Sequence, residues 1–377
     1  MSNRIQFIIL LFAFISATHP TKACRFTVRE IGFSTLSQTN YTFAILDNKD
    51  SNVNVLKQLR TYEKDSNIGI VHLNTKSEST HPIVALAKKQ GVETPALLLL
   101  SPNNRVFVLQ QGKAIDWPTI EKQFTDNILD SPLREALRKR TENTFAYILS
   151  FDGNNKAENT TARTIIDEAC NQIKNVMPLM PKEVRYPPMV IHLSKEDMAA
   201  ESLLLWSLEV AHNEATPQAV ILYGRGRLIG EKLSFDQIKK NLTFKALSMI
   251  GADCECGLDR KWMLGAQIPM LWDASCRNNL AKTLGFDVDN PSILAEMSRI
   301  MAKEVVVDNK LGVGYGLESI DLNAMLDLED DSTEVAAETA TVLKEDFFPR
   351  SIIYTLAAIL LISLIASIII LRKKRNY

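Results

Sequence analysis

Cysteine is scarce, five in 377 residues, too few for a scaffold built on disulfides. No sign of charge dominates: 43 Lys plus Arg stand against 44 Asp plus Glu, so the electrostatic footprint of a nucleic-acid binder is missing. A polar bias is missing too. Apolar residues make up 46% and charged residues 23%, which excludes a wholly disordered or collagen-like chain. No Ser-His-Asp order, paired-carboxylate signature or nucleotide loop stands out. Gly224-Arg-Gly-Arg-Leu-Ile-Gly230 is glycine-rich but occupies a hairpin turn, whereas a phosphate loop must open a helix. Neither a cofactor nor a metal site is expected.

Long apolar runs occur only at the two ends. Arg4 precedes an apolar stretch from Ile5 to Ala17, the length of a secretory h-region and short for a bilayer span. Thr21-Lys-Ala23 offers a small-x-small cleavage site, so residues 1–23 read as a signal peptide. A cut at Ala17 is the alternative. Acylation of Cys24 is disfavoured by Lys22, which stands where a lipobox needs a small residue. Residues 351–371 carry no charge and are followed at once by Arg372-Lys-Lys-Arg375. That reads as a transmembrane helix with a short cytoplasmic tail at 372–377. The body is therefore expected outside the cytoplasm, periplasmic or extracellular. The 43 basic residues less the six at the ends leave 37 against 44 acids. Much of the excess lies in 327–350, an acidic stretch that reads as a solvated juxtamembrane stalk.

Between the ends the chain repeats itself. Thr42-Phe-Ala-Ile-Leu-Asp47 matches Thr144-Phe-Ala-Tyr-Ile-Leu-Ser150, Ile70-Val-His72-Leu matches Val190-Ile-His192-Leu, and Thr94-Pro95 matches Thr216-Pro217. The blocks keep their order, with an insertion in the second copy that Met177–Pro188 can hold. Each copy reads strand, helix, strand, helix, hairpin, helix. In the first copy Gly91 closes the helix over 82–90, and Asp116 with Pro118 opens the helix over 117–128. In the second, helices are expected over 161–174, 201–212 and 235–250.

This order, with Thr-Pro opening the hairpin, resembles the thioredoxin fold. The likeness covers about residues 41–128 and 143–250. It implies an α/β protein with two tandem thioredoxin-like domains, over 24–140 and 141–260, each a central mixed sheet flanked by helices. The resemblance further implies cis prolines at Pro95 and Pro217, and an exposed backbone at Thr94, Pro95, Thr216 and Pro217 that grips an extended peptide. The family's redox Cys-x-x-Cys follows the first strand. Here those stretches are Asp47-Asn-Lys-Asp-Ser-Asn52 and Phe151-Asp-Gly-Asn-Asn155, without cysteine, so both copies read as redox-inactive at the usual position.

Asp253-Cys254-Glu-Cys256 is the remaining thiol motif. A structural bridge from one of these to Cys276 or Cys170 is the leading expectation. A redox pair at Cys254 and Cys256, or two metal ligands, are the rivals. His72 and His192 fall inside apolar strands and read as core or strand-end residues. Sequons begin at Asn40, Asn159 and Asn241. The segment 24–33 reads as an extra strand leading into the first copy. Residues 261–326 read as a helical extension, with Asn290 capping a helix that Pro291 opens. The functional expectation is a membrane-anchored binding or scaffold protein for a protein or extended peptide, such as an accessory subunit of an envelope or transporter complex. Thiol-disulfide exchange through Cys254 and Cys256, or a disulfide-isomerase-like chaperone of the endoplasmic reticulum, are the alternatives.

Overall fold

The computed structural model describes residues 25–49, 52–113, 116–253 and 263–302. The signal-like start, Cys24, Cys254, Cys256, the acidic stalk and the apolar run at 351–371 lie outside them. The chain divides into two compact units, Met1–Gly316 and Leu317–Tyr377, and every described residue belongs to the first. Among the described residues no helix is long and apolar enough to cross a membrane.

The first half is built on β1 (Tyr41–Asp47), α2 (Val53–Arg60), β2 (Ile68–Asn74), α3 (Pro82–Lys89), β3 (Ala96–Leu100), β4 (Val106–Gln111) and α4 (Trp117–Gln123). A short helix α1 (Val28–Gly32) precedes it. The sheet order is β2-β1-β3-β4. β1 and β2 run parallel, while β3 and β4 are antiparallel to their neighbours. β1 and β3 are buried along nearly their whole length, as strands covered by helices on both faces must be. Phe43, Ile45, Leu97 and Leu99 pack with Leu56, Leu59, Ile120 and Phe124 on one face. Ala44, Leu46, Leu98 and Leu100 pack with Val84 and Ala87 on the other. The caps stand where the residue types put them: Asp116 accepts from Thr119 N at 2.9 Å, and Gly91 has φ +72 after α3.

The second half repeats the plan. After α5 (Pro132–Arg138) come β5 (Tyr147–Phe151), α6 (Lys156–Val176), β6 (Met189–Leu193), α7 (Lys195–Ala200), α8 (Ser202–Ser207), β7 (Gln218–Tyr223), β8 (Arg227–Leu228) and α9 (Lys240–Gly251). The sheet order β6-β5-β7-β8 reproduces the first, again with one parallel and two antiparallel pairings. Strand order, strand sense and helix positions define two tandem thioredoxin-like domains. The insertion lengthens a helix: α6 has 21 residues where α2 has 8. The helix expected over 201–212 begins earlier, at the Ser194–Asp197 capping box. It ends before Glu209, whose φ of +59 is left-handed.

Strand register corrects one sequence match. Leu46 pairs with Ala96, one residue after Pro95, and Phe151 pairs with Gln218, one residue after Pro217. Asp47 therefore corresponds to Asp152, and His72 to His192. The Thr-Phe-Ala of the second copy lies three residues ahead of the position its twin occupies. Thr144 sits in a bridge with Tyr186 before β5 begins.

The segment expected as an extra strand of the first copy is the helix α1, and it sits on the second half. Thr27 and Glu30 form a reciprocal capping box. Phe33 joins the core around Tyr147, Leu149 and Leu222. Gly32 and Gly224 make the docking possible. A Cβ on Gly224 would fall 2.3 Å from the Gly32 backbone, and Arg225 N donates to Gly32 O at 3.1 Å. The C-terminal extension is extended before it is helical. Residues 266–272 lie between the halves: Leu228 N donates to Ala266 O and Ile268 N to Gly226 O on one side, and Trp272 N donates to Asp65 O on the other. Helices α10 (Ala274–Leu284) and α11 (Pro291–Ala302) follow. Asn290 caps α11 through Ser292 N at 2.9 Å. Met297 and Ile300 cover Phe26 and Ile31.

Three buried arginines close the irregular segments by donating to backbone carbonyls. Arg29 serves Thr141, Glu142 and Thr144. Arg134 serves Asn127, Ile128, Asp130 and Pro269. Arg227 serves Ser34, Leu36 and Ser37. A guanidinium with five donors is suited to this task. Burial lowers the Arg29 and Arg134 pKa values to about 10, so both stay charged at neutral pH.

Candidate peptide-binding edge

One edge of the first sheet gathers the ends that matter. β1 and β2 finish side by side at Asp47 and Asn74. β3 starts after Pro95, beside the last residue of β4. α2 opens just after β1 and α4 just after β4, so Val53 and Trp117 belong to the same edge. Val53 is 70% exposed, Trp117 and Pro95 are half-buried, and Thr94 is exposed. The Thr94–Pro95 peptide is cis. Gly112 N donates to Glu93 O at 3.2 Å and to Pro95 O at 3.0 Å, which leaves Thr94 between them without a backbone bond among the described residues.

Behind this edge lies a pair that sequence reading did not join. His72 Nε2 is 3.0 Å from Asp47 Oδ1, with the side chains 4% and 10% exposed. The His72 ring lies 5.6 Å from that of Trp117. Asp47 Oδ1 also accepts from Lys49 N at 2.9 Å. His72 reads from sequence as a core or strand-end residue, and the structure gives it a specific partner. The signal lay in the parallel pairing of β1 with β2, which a motif search does not register.

The second copy builds the same edge and covers it. Asn159 accepts from Gly153 N at 2.8 Å and donates to Gly153 O at 3.2 Å. Gly153 is thereby pressed onto the Thr216–Pro217 peptide: a Cβ there would lie 2.5 Å from Ala215 O and 2.7 Å from Pro217 N. Asn154 N donates to Ala215 O at 2.7 Å. Thr216 is exposed, Pro217 is buried, and the Thr216–Pro217 bond is not cis, against the expectation from the resemblance. Asn159, the middle sequon, is 9% exposed and committed to this clamp. Asp152, the counterpart of Asp47, is held by Arg163 Nη2 at 2.8 and 2.7 Å. His192 keeps a buried Nδ1 without a hydrogen-bond partner. Burial, then the neighbouring Arg163, lowers its pKa below the usual 6.5.

The described thiols do not make a redox centre. Cys170 and Cys276 are free. Burial pushes the Cys170 thiol up to about 12. It also raises Cys276, whose Sγ is 3.7 Å from Arg138 Nη1. Neither is a thiolate at neutral pH, the form that reacts. Cys254 and Cys256 lie outside the described residues. Among those described, no cluster of His, Cys, Asp and Glu could hold a metal ion.

No protein-family model matches the chain, and no curated protein does. Solved structures similar to it include the first two thioredoxin domains of Naumovozyma dairenensis Eps1p, at 11% identity over 56% of this chain and 91% of that one, with a TM-score of 0.16. The same region of Saccharomyces cerevisiae Eps1p gives 10% identity over 61% and 99%, TM-score 0.19. The bb fragment of ERp72 gives 12% over 59% and 93%, TM-score 0.21. At such values the fold assignment rests on strand order and register, not on these neighbours.

Proposed function

We propose that this protein is a non-catalytic binding module that takes an extended polypeptide at the first-copy edge, beside Thr94 and Pro95. The observation that carries the reading is the inequality of the two copies. Among the described residues Thr94 has no backbone hydrogen bond and Val53 on the same edge is exposed, whereas Gly153 packs directly on the equivalent Thr216–Pro217 peptide. A strand laid along exposed backbone gains main-chain hydrogen bonds without needing a fixed sequence, with specificity left to adjoining side-chain pockets. We further propose that the module is held at a membrane by residues 351–371 with its body outside the cytoplasm, a reading supported by that uncharged run and the basic cluster after it.

The test uses the full chain carrying a photo-cross-linking residue at position 94, 53 or 216, with a reduced and carboxymethylated protein as the extended probe. Cross-linking is expected at 94 and 53 and not at 216. Asn159→Ala should release the clamp and raise the yield at 216. Equal yields at 94 and 216 in the unmodified background would overturn the assignment. Changing Cys254 and Cys256 to Ser should leave cross-linking intact, and its loss would redirect attention to thiol exchange.

A further inference from the structure

The insertion in the second copy builds a stiff apolar projection that the first copy lacks. The last turn of α6 and the segment after it read Lys174-Asn-Val-Met-Pro178-Leu-Met-Pro181-Lys-Glu-Val-Arg185-Tyr-Pro-Pro188. Its prolines restrict the backbone before anything binds. The segment is also pinned to the fold. Met180 is seated on α9, where a Cβ on Gly251 would collide with its Sδ. Tyr186 N donates to Asn143 O at 2.9 Å, and Phe145 N donates to Tyr186 O at 3.0 Å. Lys182 Nζ donates to Arg25 O at 2.6 Å and pairs with Glu30. Arg25 in turn pairs with Glu296 of α11. The projection therefore adjoins the helix from which the chain runs on toward residue 351.

What the fold does not cover is apolar. Leu179 is 69% exposed and Tyr186 44%. They are two of the four large exposed apolar side chains among the described residues, and Pro178 and Pro181 beside Leu179 are exposed as well. Single exposed apolar residues are ordinary on a surface, but a contiguous group marks a place of contact. Cations rim the group. Lys174 and Arg185 are exposed and have no ion pair among the described residues, and Arg185 stacks 5.1 Å over the Tyr186 ring. Glu183 is the one acid between 174 and 188.

We propose that this projection docks on the surface of a lipid bilayer, with Leu179 and Tyr186 at the boundary of headgroups and acyl chains and Lys174 and Arg185 against the lipid phosphates. The proposal rests on the reading that residues 351–371 hold the protein at a membrane. Tyrosine favours that boundary, where its ring is in an apolar layer and its hydroxyl is wet. Long basic side chains lie along apolar surface and bring their charge to a phosphate. Size separates a bilayer from a protein partner. A stable protein interface takes about 20–30 residues from each side, more than this segment offers. A body already tethered meets the bilayer at high effective concentration, so a few inserted side chains suffice.

The experiment reconstitutes the full chain into vesicles of phosphatidylcholine, with and without phosphatidylserine. The chain carries a dansyl amino acid at position 179 or, as a control, at position 89, where Lys89 is exposed on α3 of the first half. Lipids brominated in their acyl chains quench a probe in the bilayer, and iodide quenches one in water. The probe at 179 is expected about 5–10 Å below the headgroups, blue-shifted, quenched by brominated lipid and shielded from iodide. The probe at 89 should behave in the opposite way. With the probe moved to 186, Leu179→Asp should lower the bilayer-quenched fraction about tenfold, the equivalent of one buried leucine. Its circular dichroism should not change, because the side chain is exposed. Resistance to carbonate extraction reports separately on residues 351–371. A probe at 179 that stays in water overturns the docking whether or not the chain resists extraction. Equal quenching at 179 and 89 overturns it too. Quenching at 179 in a chain that carbonate extracts upholds the docking and removes the anchor. Shielding at 179 that grows with protein concentration and ignores brominated lipid makes a second copy the occupant and overturns the bilayer.

Discussion

Single residues here do work that composition conceals. Arg134 is 1% exposed and faces no carboxylate within bonding range; its Nη atoms join the carbonyls of Asn127, Ile128 and Asp130 to that of Pro269, and its Nε donates to Ser131 Oγ. Arg134→Met should orphan those carbonyls and destabilise the fold by about 2–5 kcal/mol, read as a lower midpoint in urea unfolding with unchanged slope. His192 carries a pH dependence. Its folded pKa lies below the unfolded value of 6.5, so the unfolded chain binds the extra proton. The contribution is whole above about pH 6.5 and is lost as pH falls from there toward the folded value. The melting temperature of His192→Gln should therefore fall less than that of the unmodified chain as pH drops below 6.5. A parallel decline would refute the burial account. The Thr-Pro pair and the two histidines were visible as repeats because each recurs at one structural position, but the repeat did not give His192 its role, and the partners of Arg134 lie as far as 135 residues away.

Elements were legible where local chemistry decides them. Asp116, Gly91 and Asn290 cap as their residue types direct. The segment 25–33 misled because Phe26, Val28, Ile31 and Phe33 are all buried, a pattern consistent with either period. The Thr27–Glu30 capping box settles it as a helix. The Thr-Phe-Ala match misled differently: the motif repeats but its register does not, since register is set by pairing across the sheet. The α1 seat makes its own prediction. Gly224, at φ +57, has no room for a Cβ against Gly32. Gly224→Ala should cost about 1–3 kcal/mol through overpacking. It should also speed amide exchange at Arg225 N, whose bond to Gly32 O depends on that contact. Wild-type protection at Arg225 in the variant would show that α1 sits there for other reasons.

At the scale of the molecule the halves share material. The core of the second half includes Phe33 from before the first half, and Ile268, Met270 and Trp272 from after the second. The core of the first half takes Leu203, with Trp206 and Leu271 packed against it. Domains in tandem ordinarily fold alone; here residues 141–260 expressed by themselves lack several large core side chains. We expect that fragment to show weak near-ultraviolet circular dichroism and rapid proteolysis. A well-dispersed amide spectrum from it would contradict the shared core.

The docking of α1 also sets an order in time. Arg25 meets Glu296, 271 residues later, at 2.5 Å. At about 5–20 residues per second of synthesis, α1 waits on the order of 15–50 s for α11. Throughout that interval Phe26 and Ile31 lack the cover of Met297 and Ile300. A ribosome that stalls before α11 releases a chain in which those two side chains stay bare. The finished fold hides them, so their exposure reports that translation stopped short.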